Sequence, residues 1–153
     1  DYEYEEVKVT NDDYAAVLFK TDKGATGVFH VTALAPGHGC SLEFEINGSK
    51  QSFSWNQEEN DKMWIGRRGG DNGIVIRNPN TLSENIRPYT KLALGHPEGW
   101  NDAFKGNIYA FYKYIADGRI GEKLFSTLED GAYIVKLTEA IMESSKKKQW
   151  VNL

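Results

Sequence analysis

Along the first third of the chain, apolar and polar residues change places at every second position, the period of a strand. The runs "YAAVLFK" (14–20), "ATGVFHVTA" (25–33), "SLEFEIN" (41–47) and "KQSFSW" (50–55) are rich in β-branched and aromatic residues, and "TDKG", "APGHG" and "NGS" separate them. Glycine or asparagine stands in each separator where a tight turn wants a positive φ. An antiparallel meander is the predicted arrangement. In "SLEFEIN", Leu42, Phe44 and Ile46 share one face while Ser41, Glu43 and Glu45 share the other, so one face of that strand is wet.

From Asn56 to Lys91 the pattern loosens into brief apolar runs, "MWI" and "GIVI", among glycine, asparagine and proline, which predict short strands and long loops. From Asn101 the period lengthens to that of a helix. Phe104, Ile108, Phe111, Tyr112 and Ile115 recur at helical spacing, Asn101 or Asp102 can cap the start, and Gly118 can end the helix in the left-handed conformation. A second helix follows "STLEDG", with Ser126 and Glu129 in capping-box relation and Ile134, Leu137 and Ile141 as its buried stripe. Lys146 to Lys148 fall at its last turn, where positive charge suits the helix dipole. The closing "QWVNL" reads as one more short strand. Strands first and helices afterwards predict an α+β domain: a predominantly antiparallel open sheet with two C-terminal helices packed on one face. The other sheet face is then either wet or a partner surface.

Composition narrows the class. A chain of 153 residues suits one domain, with 40% hydrophobic and 26% charged residues, the proportions of an ordinary globular protein. The net charge of -4 argues against a nucleic-acid partner, and no apolar run reaches the length that spans a bilayer. The single cysteine, Cys40, excludes an internal disulfide, which makes the cytoplasm the expected compartment, and its position before a strand predicts a buried or half-buried thiol. The start, "DYEYEEV", has no methionine and none of the marks of a signal peptide, and a strand is already under way there. The chain reads as an excised piece of something longer.

Few residues point to chemistry. "GRRGGDNG" (66–73) has the glycines of a phosphate nest but neither the spacing nor the lysine of a nucleotide loop, so a flexible loop is the better reading of Arg67 and Arg68. His30 lies within a strand beside Val28 and Thr32 on one face, as a core or interface histidine would. His38 sits in a glycine turn, and no pair of histidines has metal-ligand spacing. "GHPEGW" (95–100) crowds His96, Glu98, Trp100 and, just beyond, Asp102 into the approach to a helix N-terminus. Such a loop can bind a polar ligand, with tryptophan as a stacking face for a sugar ring, or it can be structural, with Pro97 stiffening the turn and Trp100 stapling onto the helix. The residues alone leave both readings open.

Four segments together resemble one family: "NDDYAAVLFKTDKGATGVFHVTALAPGHG", "LEFEINGSKQSFSW", "GHPEGWNDAF" and "STLEDGAYIVKLTEAIMESSKKKQWVNL". They are similar to the C-terminal domain of the Gfo/Idh/MocA family, the glucose-fructose oxidoreductases and inositol dehydrogenases. The resemblance covers nearly the whole chain, and it implies a dihydrodipicolinate-reductase-like C-terminal fold in which residues 1–153 form a single substrate-binding and oligomerisation domain, truncated on its N-terminal side. It implies a parent enzyme using NAD or NADP on a sugar, polyol or related compound, with a Rossmann domain preceding this chain. It also implies that the catalytic lysine and histidine precede Asp1, so that no catalytic, metal or cofactor-binding residue is expected here and the fragment by itself binds no cofactor. His96, Trp100 and Asp102 become the expected substrate-binding residues, as wall of a sugar pocket, and the sheet face becomes a homo-oligomer contact. A non-catalytic carbohydrate-binding or dimerisation module is the alternative.

Overall fold

The hairpin nearest the N-terminus follows directly from its turn. In the computed structural model, which describes residues 4–153, Gly24 takes φ +87°, the Gly24 N–H donates to the Thr21 carbonyl at 3.0 Å and the Thr21 hydroxyl accepts from the Ala25 N–H at 3.1 Å. That closure sets β1 (Tyr14–Lys20) antiparallel to β2 (Thr26–Thr32), with Ala16 opposite His30 and Val17 opposite Phe29. The register leaves neither face polar. Tyr14, Leu18, Val28 and His30 share one side, and Val17, Phe19, Phe29 and Val31 share the other. His30 is an exposed residue stacked on Tyr14, with ring centroids 6.3 Å apart, and is not a core histidine.

The chain divides into two compact units, residues 1–39 with 137–153, and residues 40–136. The meander correspondingly comes as two sheets, broken at the "APGHG" segment. The second holds β3 (Glu43–Asn47), β4 (Gln51–Asn56), β5 (Lys62–Arg67) and β6 (Gly73–Ile76), antiparallel in chain order. Register sets two apolar rows on one face, Phe44, Trp55, Met63 and Val75 in one and Ile46, Phe53 and Ile65 in the next, while Trp64, Ile74 and Ile76 fall on the other. Glu43, Glu45 and Ser54 lie on the opposite face, as the alternation in "SLEFEIN" requires. Cys40, just before β3, is exposed, contrary to the expectation of a buried thiol, because it lies in the connection rather than in the ladder.

Two helices complete the α+β architecture. The first, α1 (Trp100–Ala116), starts at Gly99 and is followed by Gly118 at φ +76°. Its expected apolar stripe is not the face that is covered. Ala110 is 4% exposed and Gly106 approaches Tyr89, whereas Ile108 remains 57% and Phe104 53% exposed. Small residues let the helix come close, and the larger ones were left outward. The second helix, α2 (Leu128–Lys147), is capped one residue later than the sequence suggested. Asp130 Oδ2 accepts from the N–H and hydroxyl of Thr127, each at 2.8 Å, and the Thr127 hydroxyl accepts the Asp130 N–H at 3.2 Å. Those bonds, the backbone one first, hold the Asp130 carboxyl below its ordinary range. Of the stripe expected to be buried, Leu137 and Ile141 are only half-buried and Ile134 is 58% exposed. "QWVNL" forms no strand, because the chain turns back on α2: Lys148 takes φ +53° and the Ser144 hydroxyl donates to the Gln149 carbonyl at 2.7 Å. The strand expected at the start is absent over residues 4–10, and residues 1–3 lie outside the described residues.

Candidate functional site

The approach to α1 is organised by a residue at the end of β6. Arg77 follows Ile76, and its backbone N–H continues the ladder by donating to the Asp61 carbonyl at 2.7 Å. Its guanidinium is thereby aimed at the loop spanning 91–99. Nε donates to Asp61 Oδ1 at 2.8 Å, Nη1 lies 3.0 Å from Glu98 Oε2 and 3.2 Å from the Leu92 carbonyl, and Nη2 donates to the His96 carbonyl at 2.5 Å. The other Glu98 oxygen accepts the backbone N–H groups of Lys91 and Leu92 at 2.5 and 2.9 Å. With side chains only 15% (Arg77) and 10% (Glu98) exposed, this is a largely desolvated, charge-assisted pair whose remaining lone pairs are satisfied.

Asn60 ties the same loop to the sheet. Its amide donates to the Glu98 carbonyl at 2.5 Å while its own carbonyl accepts the Trp55 indole N–H at 3.0 Å. Gly95 at φ +85° permits the reversal before Pro97. Beside the loop lies a concavity of about 530 Å³, lined by Trp55, Asn60, Tyr89, Glu98, Asp102 and Gly106 among others.

Of the three residues expected to bind substrate, only Asp102 lines this concavity, and its carboxylate also closes the helix start, accepting the Gly99 N–H at 3.0 Å. His96 is exposed on the loop; its backbone is bonded to Ala93 and Arg77, and its imidazole has no hydrogen-bond partner among the described residues. Trp100 is 64% exposed, with its ring against Phe104 at a centroid distance of 4.3 Å. The two readings of "GHPEGW" therefore divide by residue. Glu98 and Asp102 are engaged in holding the loop and helix, while His96 and Trp100 offer exposed faces. Arg77, Asp61, Asn60, Trp55 and Tyr89 were not singled out by the sequence; an arginine directly after an apolar strand was the one local signal available.

At the far turns of the four-stranded sheet, "GRRGGDNG" forms the β5–β6 turn, with Gly69 at φ +75°. Arg67 Nη1 donates to the Asp71 carbonyl and Arg68 Nε to the Ser49 carbonyl, both at 2.9 Å, so both arginines brace turns.

A family model described as the oxidoreductase family, C-terminal alpha/beta domain, matches residues 1–153. The levoglucosan dehydrogenase of Pseudarthrobacter phenanthrenivorans is 26% identical over 148 residues, covering 93% of this chain and 36% of that protein. This chain thus spans about a third of that relative's length. Among solved structures, an oxidoreductase from Sinorhizobium meliloti superposes with a TM-score of 0.82 at 25% identity, covering 92% of this chain and 42% of that one. A levoglucosan dehydrogenase in complex with NADH and levoglucosan shares the fold, with a TM-score of 0.81 at 22% identity over 93% of this chain and 38% of that one.

Proposed function

The chain belongs to the Gfo/Idh/MocA oxidoreductase family as a C-terminal α/β domain, and from that premise we propose that it is the substrate-binding and subunit-forming part of an NAD-dependent enzyme acting on a sugar, anhydrosugar or polyol. The observation that carries the proposal is the loop from residue 91 to residue 99. It is anchored on one side by Arg77 and Glu98 and leaves the imidazole of His96 and the face of Trp100 outward. An aromatic face with nearby donors and acceptors suits a ring bearing hydroxyl groups. The kinship with levoglucosan dehydrogenase supports that choice of ligand class.

The cofactor does not fit these residues. Every described strand pairs antiparallel, and among the described residues no glycine-rich turn joins a strand to a helix as dinucleotide binding requires. In the intact protein the nicotinamide would take or give the hydride at a carbinol carbon. This chain's own part is to bind the sugar, hold the reacting carbon in place and exclude water, while the proton-transferring groups lie outside these 153 residues. Exposed apolar residues support the remainder of the proposal. Ile108 and Phe104 on α1, at 57% and 53% exposure, have the spacing of a face meant for cover, which further chain would provide. Leu18 and Val28, paired on one face of the hairpin at 69% and 67%, suit a second copy in a symmetric contact.

Calorimetric titration tests the division of labour. The isolated chain is expected to give no heat with NAD(H) or NADP(H), and the full-length protein is expected to bind one of them. A micromolar dissociation constant for the isolated chain would overturn the assignment.

A further inference from the structure

We propose that Arg77 is a positioning residue: it fixes the loop 91–99 in one arrangement before any ligand arrives, and so sets where His96 is presented. What the loop meets rests on the substrate reading above; what holds the loop rests on geometry alone.

The loop contributes a turn bond of its own, from the His96 N–H to the Ala93 carbonyl at 3.2 Å. Asn60 holds the loop's end through the Glu98 carbonyl at 2.5 Å, and the bonds that span the segment from outside pass through one guanidinium. Arg77 meets the loop at the Leu92 carbonyl, at the His96 carbonyl and at the Glu98 carboxylate, so its contacts run nearly the whole length of the segment. Glu98, once held, turns its second oxygen onto the N–H groups of Lys91 and Leu92, tying the end of the loop to its beginning. Asp61 orients the guanidinium from behind through Nε. None of these bonds uses the imidazole of His96.

The arrangement needs arginine in particular. Its planar fork carries five donors along fixed directions, and here separate edges serve two carboxylates and two carbonyls at once. A lysine ammonium on a flexible stem can replace one of those contacts but not the set. Because the Arg77 and Glu98 side chains are largely buried, breaking the pair leaves an uncompensated charge, and the loop is then released rather than slightly adjusted. A loop ordered in advance avoids its ordering cost at binding, so Arg77 acts on affinity without touching the ligand.

The test uses Arg77→Gln and Arg77→Lys in the full-length protein, with Arg77→Lys as the variant less disruptive to folding and levoglucosan as the sugar probe. Amide exchange at Lys91 and Leu92 is expected to quicken at least about tenfold in both variants while the β4–β5 ladder amides keep their protection. KM for levoglucosan is expected to rise at least about tenfold, with kcat and cofactor affinity little changed. Unchanged exchange at Lys91 and Leu92 overturns the proposal, and so does equal loosening of the ladder, which marks a general structural role. Faster loop exchange with KM raised by His96→Ala but not by Arg77→Gln also overturns it. If loop exchange quickens and neither substitution moves KM, Arg77 stands as the loop's anchor and the substrate reading of the loop falls.

Discussion

The Asp102 carboxylate accepts the Gly99 N–H at 3.0 Å, whereas the His96 imidazole has no partner among the described residues, and this difference in prior engagement separates the expected effects of replacing them. Asp102→Ala is expected to lower stability by about 1 kcal/mol through loss of the helix-start bond, visible as a lower Tm. Trp100→Ala removes a ring that is 64% exposed and rests on Phe104, so it is expected to leave Tm nearly intact and to weaken sugar binding instead. Thermal melts paired with steady-state kinetics of the full-length protein separate the two. A Trp100→Ala variant with a strongly lowered Tm returns that residue to the structural role. At this scale the sequence was only partly legible. His96, Trp100 and Asp102 announced themselves by crowding into six or so positions, but Arg77 finds its partners 16 and 19 residues away, at Asp61 and His96, and no local spacing reports such contacts.

At the scale of elements, strands were readable because alternation and turn glycines state the same register twice, as in β1–β2 and in "SLEFEIN". The helices were harder. In α1 the covered face follows Gly106 and Ala110, and small residues give no apolar signal, so the sequence pointed to the larger side chains that the structure leaves exposed. In α2 both Ser126 with Glu129 and Thr127 with Asp130 satisfy the capping pattern, and the hydrogen bonds choose the second pair. The choice has a pH signature. The folded Asp130 carboxyl is depressed by the Thr127 N–H and then by its hydroxyl, so its contribution is fully present above the ordinary carboxylate value of about 4 and is lost as pH falls through the lower folded value. NMR of the first turn of α2 is expected to show Asp130 titrating below that value, and Thr127→Ala, which removes the hydroxyl and keeps the backbone N–H, is expected to move it part of the way back. A Thr127→Ala variant with an unchanged Asp130 titration would remove the hydroxyl from this cap.

For the whole molecule, the exposed apolar residues on the β1–β2 hairpin and on α1 call for cover, and the two surfaces make different demands. A two-stranded ribbon with apolar residues on both faces is marginal by itself, which favours a second copy against it. Sedimentation of the chain at increasing concentration is expected to show association, and Val28→Glu with Val31→Glu, one on each face, is expected to abolish it without disturbing the β3–β6 ladder. A strictly monomeric profile at high concentration counts against the contact. The central claim, that this chain forms sugar-binding wall and leaves the hydride and proton chemistry to residues elsewhere in the protein, is tested most directly by the kinetics of His96→Ala in the full-length enzyme. Loss of one or two neutral hydrogen bonds to hydroxyl groups, each worth about 0.5–1.5 kcal/mol, is expected to raise KM for the sugar roughly two- to tenfold and leave kcat and cofactor affinity near their starting values. A kcat reduced by several orders of magnitude at unaltered KM would place the proton-transferring group within this chain and contradict the account.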